Sequence, residues 1–410
     1  MEALNELFAK ALNIEKPWEI AKITFHEAEK RLDIHVDFPR GSVFVCPHCG
    51  SEVTAYDTTE KQWRHMNFFQ YECHLVARIP RIECPNDKVI QVTIPWARKG
   101  ADFTLLFESL ALMLCREMPV NAVARILGEN DGKLWRMVHH YVDEARRKTS
   151  YAGLKSLGID ETSMRKGHDY ITLGVDMAAK KTVFVGHGKD ANVIAEMKNE
   201  LLEHGCNTDE IERTSIDMSP AFIRGVTEHF PKASIVFDKF HVMKILNDAV
   251  DQVRRNEVYA QIVLRRTRYL WLKNRPNLTE KEAKQLSAIE SMPKLNLKTI
   301  RAFHIRENFQ EIYRETSIEE FTKKLKKWYF WATHSRIPQM RDAAKTIKRH
   351  WYGVVSWYEH RISNGLLEGL NSLIQAAKAK ARGYRTFETF RTIVFLLTGK
   401  LDFSKTGLPI

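Results

Sequence analysis

Apolar runs long enough to cross a bilayer are absent from this 410-residue chain; none approaches the roughly 20 residues that a spanning helix requires. The opening residues, Met-Glu-Ala-Leu-Asn-Glu-Leu-Phe, have neither the basic stretch nor the apolar core of a secretion signal. A cytoplasmic protein is therefore expected, with no membrane partner. No glycine-rich phosphate loop occurs, which argues against a nucleotide cofactor. Cysteine is scarce: there are six, and four of them lie between positions 46 and 84. In a reducing compartment such a cluster points to metal before disulfides. Acidic charge is also in deficit, with 51 Asp and Glu against 63 Lys and Arg, a formal +12. That imbalance suits a polyanionic partner such as nucleic acid, or simply a soluble basic protein. The remainder, 44% hydrophobic and 28% charged, is the composition of an ordinary folded chain with room for two or three domains.

Residues 1–40 read as a short helix and a hairpin, with apolar and polar side chains alternating on both sides of Glu-Lys-Arg. Then comes Cys46-Pro-His-Cys49-Gly, a tight turn that lets two thiolates grip one side of a tetrahedral zinc ion. Its natural second half is Cys84-Pro-Asn-Asp87, a donor set of three thiolates and a carboxylate. Cys73 and His74 compete for the remaining positions, and a degenerate knuckle without metal is the alternative. Further on, Pro119 to Gly128 and the stretch from Lys133 form two helical patterns split by a stop signal, as in a helix-turn-helix. Phe103, Leu106, Phe107, Leu110 and Leu114 before it recur at helical spacing and should supply core. Lys133 and Arg136 are the basic side chains of the second helix that would meet DNA.

Three apolar runs between residues 155 and 188, divided by turn residues, predict an antiparallel meander. Asp160 lies within its first strand, where a carboxylate is costly unless a cation or partner neutralises it. A helix is expected at about 191–204, with Val193, Ile194, Met197, Leu201 and Leu202 as its apolar stripe. Two further strands end in acids, at Asp217 before Met-Ser-Pro and at Asp238 before Lys-Phe-His241. The order of strands and helices is that of an RNase H-like mixed sheet, which gathers acidic side chains from adjacent strands.

Residues 245–350 turn helical and basic, with paired Lys and Arg among Trp and Tyr, and read as an insertion into the sheet domain. Asn364, Glu368 and Asn371 then recur at i, i+4 and i+7, on one helix face. Lys378, Arg382 and Arg385 extend a basic edge beyond them. Asp160, Asp217 and Glu368 thus form a candidate acidic triad. Three carboxylates can hold two divalent cations for phosphodiester chemistry; hard oxygen donors favour Mg²⁺, with Mn²⁺ able to substitute.

Together, Cys-Pro-His-Cys-Gly, Trp63-Arg-His-Met-Asn-Phe-Phe-Gln, Ile-Pro-Trp-Ala-Arg98, Gly158-Ile-Asp160-Glu, Asp217-Met-Ser-Pro, Asp238-Lys-Phe-His241 and Asn364-Gly-Leu-Leu-Glu368-Gly-Leu-Asn371 resemble the bacterial insertion-sequence transposases of the ISL-three family, in the DDE class. The resemblance runs from Cys46 through the Glu368 helix. It implies an α/β multidomain fold: a zinc-knuckle domain (1–100), a helix-turn-helix (101–150), and an RNase H-like catalytic domain (151–244 and 356–410) split by a helical insertion (245–355). It implies Asp160, Asp217 and Glu368 as the catalytic, metal-binding residues. Asp238 and His241 match the Asp-x-x-His signature beside such sites, His241 orienting the scissile phosphate or relaying a proton, while Asp238 competes with Asp217 for the metal. The zinc ligands would be Cys46, Cys49, Cys84 and Asp87, where the family usually has a final Cys. Expected DNA contacts are Lys133, Arg136, Asn364, Asn371, Lys378, Arg382 and Arg385. The partners implied are the element's terminal inverted repeats and target DNA, at the bacterial nucleoid, with a homodimer or larger assembly in synapsis. A transposase-derived, non-cutting DNA-binding regulator is the alternative, and an RNA–DNA hybrid nuclease a third reading.

Overall fold

The computed structural model describes residues 2–84, 86, 88–292, 296–360 and 365–409. The chain divides into two compact units: residues 1–149 with 380–382 and 401–410, and residues 150–379 with 383–400. Among the described residues, no helix is long and apolar enough to cross a membrane.

The first unit opens with α1 (Glu2–Ala11) and the antiparallel hairpin β1 (Glu19–His26) and β2 (Arg31–Asp37). A small hairpin, β3 (Val43–Val45) and β4 (Glu52–Thr54), carries the Cys-Pro-His-Cys turn between its strands. Strands β5 (Asp57–Arg64), β6 (Glu72–Glu83) and β7 (Val89–Gln91) complete a five-stranded sheet in the order β1-β2-β6-β5, with β7 also on β6. Three helices follow: α2 (Leu105–Glu117), α3 (Val120–Leu127) and α4 (Asp131–Arg147). Gly128 ends α3 at φ 71°, a left-handed conformation that suits a residue without Cβ. Asn130 caps α4 through a 2.8 Å bond from the Gly132 N–H. The helix-turn-helix expected from the Gly stop is therefore present.

The buried face of α2 differs from the expected stripe. Phe107, Ala111, Leu112 and Cys115 are buried with Phe103, whereas Leu106, Leu110 and Leu114 are only half-buried. Glu108, which no apolar pattern singles out, has no exposed surface. Its carboxylate accepts from Arg98 (2.9 Å) and the Tyr141 hydroxyl (2.5 Å), tying the segment after the β-sheet to α2 and α4. Burial pushes its carboxyl above the usual range.

The second unit is built on β8 (Ser156–Arg165), β9 (Asp169–Asp176), β10 (Lys181–His187), α5 (Ala191–Glu203), β11 (Arg213–Ile216), α6 (Pro220–His229) and β12 (Ser234–Phe237). The sheet order is β10-β9-β8-β11-β12; the first three strands are antiparallel and the last three parallel. This is the mixed sheet expected from the order of elements. Leu157 and Ile159 share the main core with Val193, Ile194, Met197 and Leu201 of α5, while Leu202, expected in that stripe, is exposed.

Helices α7 (Lys239–Glu257), α8 (Arg268–Leu272), α9 (Glu280–Glu290), α10 (Lys298–Ile312), α11 (Ile318–His334), α12 (Pro338–Arg349) and α13 (Trp351–His360) contain no strand among the described residues. Trp271 and Trp328 are buried in their core, whereas Tyr269 and Trp331 are exposed. Two last helices, α14 (Gly365–Lys380) and α15 (Phe387–Thr398), return to the sheet. The side chain of α15 residue Thr398 bonds Thr182 of β10 at 2.8 Å.

Candidate active site and metal centres

Strand register explains how acids far apart in sequence come to one level. Ser215 of β11 pairs with Gly158 of β8, and Ile216 pairs with Phe237 of β12. Two residues on from the first pair are Asp217 and Asp160; one residue on from the second are Asp217 and Asp238. Three carboxylates therefore emerge side by side across three neighbouring parallel strands.

Each is held differently. Asp160 is half-buried; its Oδ1 accepts from the Glu161 N–H (2.9 Å) and its Oδ2 from Asn371 Nδ2 (2.7 Å). Burial raises its carboxyl to about 6, with the charges of Asp217 and Asp238 adding to the rise and His241 opposing it. Asp217 uses Oδ1 to accept from the Ser219 N–H at 2.8 Å, ahead of α6. Asp238 spends both oxygens: Oδ1 caps α7 through the Phe240 N–H (3.1 Å), and Oδ2 bonds His241 Nδ1 (3.1 Å). That bond, followed by the Asp238, Asp217 and Asp160 charges, holds the His241 imidazole above its usual pKa in spite of burial.

Helix α14 lies along β8. Besides Asn371, Gln375 donates to Thr162 Oγ1 and the Ser163 carbonyl, both at 2.8 Å, and Lys378 Nζ donates to the Ser163 carbonyl at 2.6 Å. Leu367 packs against Gly158, where a Cβ would meet its methyls at 3.1 and 3.2 Å. Glu368 is exposed, on the same helix face as Asn371 and one turn earlier. Among the described residues, no set of three acids has oxygens all within 4.8 Å of one another. The α14 residue that bonds Asp160 is Asn371, which with Lys378 was expected at DNA; Asn371 Nδ2 and Lys378 Nζ both donate to β8. Asn364 lies outside the described residues. Arg382 and Arg385 are exposed.

Glu161, on the opposite face of β8, pairs with Lys189 at 3.5 Å. It lines a groove of about 730 Å³ with Lys189, Asp217, Ser219, Pro220, Ala221 and Arg224.

In the first unit, Cys46, Cys49 and Cys84 bring their sulfurs within 4.8 Å of one another, the only such ligand group among the described residues. The turn is closed by Gly50 N–H to the Cys46 carbonyl (2.9 Å) and Cys46 N–H to the Ser51 carbonyl (2.8 Å). Hydrogen bonds from Ser51 lower the Cys49 thiol to about 7, which favours the thiolate that a metal requires. Cys73 is instead buried with Ile20, Leu32 and Ile34, and burial pushes its thiol up to about 12, so it is no ligand of this group. Asp87 lies outside the described residues. On α4, Arg136 is exposed near Asp102 (3.5 Å), and Lys133 stands over the Phe103 ring.

A family model described as transposase matches residues 157–394, more than half of the chain. The chain belongs to the ISL3 transposase family. The helix-turn-helix domain of that family matches residues 92–142, and the zinc-finger of transposases IS204/IS1001/IS1096/IS1165 matches residues 42–87. This ISL3 member is 27% identical to the transposase for insertion sequence element IS1557 of Mycobacterium tuberculosis, over 95% of this chain and 94% of that one. It is 26% identical to the transposase for IS1001 of Bordetella parapertussis, over 86% and 88% respectively. The three cysteines fit the structural zinc of the family's zinc-finger.

Proposed function

We propose that this ISL3-family member binds the terminal inverted repeats of its own element, cuts the phosphodiester bonds there and joins the freed 3′ ends to target DNA. The observation that carries the reading is the alignment of Asp160, Asp217 and Asp238 on neighbouring parallel strands, with Asn371 of α14 bonded to the first.

The donor set fits divalent magnesium or manganese: hard oxygens, a carboxyl whose burial and like-charged neighbours oppose ionisation, and a buried amide oxygen, Asn371 Oδ1, without a hydrogen-bond partner. When bound, two such cations would activate a water or 3′-hydroxyl and stabilise the leaving oxygen of an in-line displacement. Asp160, in the middle of β8, and Asp217, just past the end of β11, would hold this charge. Glu368 would complete the set from α14, on the helix face that carries Asn371. Asp238 keeps His241 oriented and readily protonated, so that His241 seats the scissile phosphate or gives up a proton.

Residues 1–150 are assigned to recognition of the ends, through the zinc knuckle and the exposed Arg136 of α4. Residues 151–244 and 356–410 are assigned to catalysis, and the basic helical segment 245–355 to gripping DNA. Pairing two ends calls for two copies of the chain. Incubating the chain with repeat-bearing duplex and Mg²⁺ tests the reading. Asp160→Asn should bind that duplex as the parent does and fail to cut it; cutting by the variant would remove Asp160 from the site. A parent chain that binds but never cuts would favour the regulator.

A further inference from the structure

Asn371 is the residue of α14 that bonds Asp160, and its two polar atoms are treated unequally. Nδ2 donates to Asp160 Oδ2 at 2.7 Å. Oδ1 is buried without a hydrogen-bond partner. The orientation is fixed by chemistry, because a carboxylate accepts and only the amide nitrogen can donate to it. An orphaned buried carbonyl-type oxygen is costly, and folded proteins keep few of them. Oxygen and nitrogen share one carbon, so this orphan sits beside Asp160. It also sits on the helix face that carries Glu368 one turn earlier and Gln375 one turn later. Later on α14, Gln375 and Lys378 both have partners on β8.

We infer that Asn371 belongs to the cation site, its Nδ2 fixing Asp160 and its Oδ1 serving as a neutral oxygen donor to a divalent cation shared with that carboxylate. The assignment rests on the proposed function, in which Asp160 binds a cation. It replaces the contact with DNA that the sequence suggests for Asn371. A neutral amide oxygen is a suitable ligand for a hard cation, and it adds no negative charge to a cluster already crowded with it. The burial of α14 against β8 through Leu367, Gln375 and Lys378 keeps the amide in register with Asp160.

The test is Mn²⁺ binding to the full zinc-loaded chain without DNA, followed by titration calorimetry and by the electron-spin signal of free Mn²⁺. Asn371→Ala should weaken Mn²⁺ binding about 10–100-fold, the range for lost partners of a metal site. Asn371→Asp keeps an oxygen and loses the amide donor. It should bind Mn²⁺ at least as tightly as the parent if Oδ1 is a ligand. Weakening by Asn371→Asp to the level of Asn371→Ala would overturn the inference, since the amide would then matter only as a donor to Asp160. Unchanged Mn²⁺ affinity in both variants, with weaker binding of repeat DNA in cation-free buffer, would overturn it in favour of a DNA contact. Asp160→Asn is the reference. If it too leaves Mn²⁺ binding unaltered, the cation site itself fails; if it abolishes binding while Asn371 variants do not, only the role of Asn371 fails.

Discussion

Replacing Asp160 by asparagine should stabilise the cation-free protein while it removes the proposed cutting activity. The carboxyl rises from an ordinary 3.8 to about 6 in the folded chain. The folded state therefore holds the proton more tightly than the unfolded state, and between those two values it binds more protons. Stability falls as pH rises through that window and is flat above it, a loss of about 3 kcal/mol by neutral pH. Asparagine carries no charge to desolvate, so it recovers that amount. It cannot satisfy both the Glu161 N–H and Asn371 Nδ2 as the carboxylate does, a loss of about 1 kcal/mol. The net gain expected at pH 7 is about 2 kcal/mol, shrinking to nothing or reversing near pH 4. The assay is urea unfolding of parent and variant in buffer free of divalent cations other than bound zinc, at pH 4 and 7. It follows tryptophan fluorescence, to which Trp271 and Trp328, both buried in the second unit, contribute. A variant no more stable than the parent at pH 7, or a difference that ignores pH, would refute the reasoning. Added Mg²⁺ should stabilise the parent and leave the variant unmoved, which separates the cation from the proton as the neutralising charge.

Two further outcomes follow from the first unit. Cys49→Ser should lower the zinc content of purified protein measured by mass spectrometry, because serine supplies no thiolate at a position tuned towards one; unchanged zinc would remove Cys46, Cys49 and Cys84 from that role. Glu108→Ala should lower the stability of the unit by about 3–5 kcal/mol in chemical denaturation, since it strips Arg98 and Tyr141 of a buried partner. A loss under 1 kcal/mol would mean that water reaches Arg98 readily.

Legibility in the sequence followed the range of the interactions. The strands β8 to β10 could be drawn from alternation and turn residues, and Gly128 marked its helix stop, because both are decided within a few residues. Asp160 stood out as an acid inside an apolar strand, and Asp217 and Asp238 as acids at strand ends. Their alignment depends on Ser215 meeting Gly158 and Ile216 meeting Phe237, pairings that local pattern does not encode. The bond between Asn371 and Asp160 joins residues 211 positions apart and is invisible to any window. The same limit left Cys73 open as a ligand beside Cys84, because burial in a separate apolar cluster is a tertiary fact. Glu108 gave no signal either: a lone acid in an apolar helix looks solvated until Arg98 and Tyr141 are placed over it.

The lateness of α14 in the chain has a consequence for synthesis. At about 5–20 residues per second, a ribosome needs roughly 10–40 s to travel from Asp160 to Asn371. Closing so long a loop costs little extra free energy, because the entropy penalty grows only logarithmically with length. Time, not stability, is what the separation imposes. Once residue 238 is made, the growing polypeptide contains the cysteine turn, the helix-turn-helix and all three aligned acids, but not yet the helix that carries Glu368 and Asn371. Under the proposed function, a product terminated before Gly365 would occupy the ends of the element without cutting them. Premature stops there should yield competitors of the full-length chain, not inert fragments.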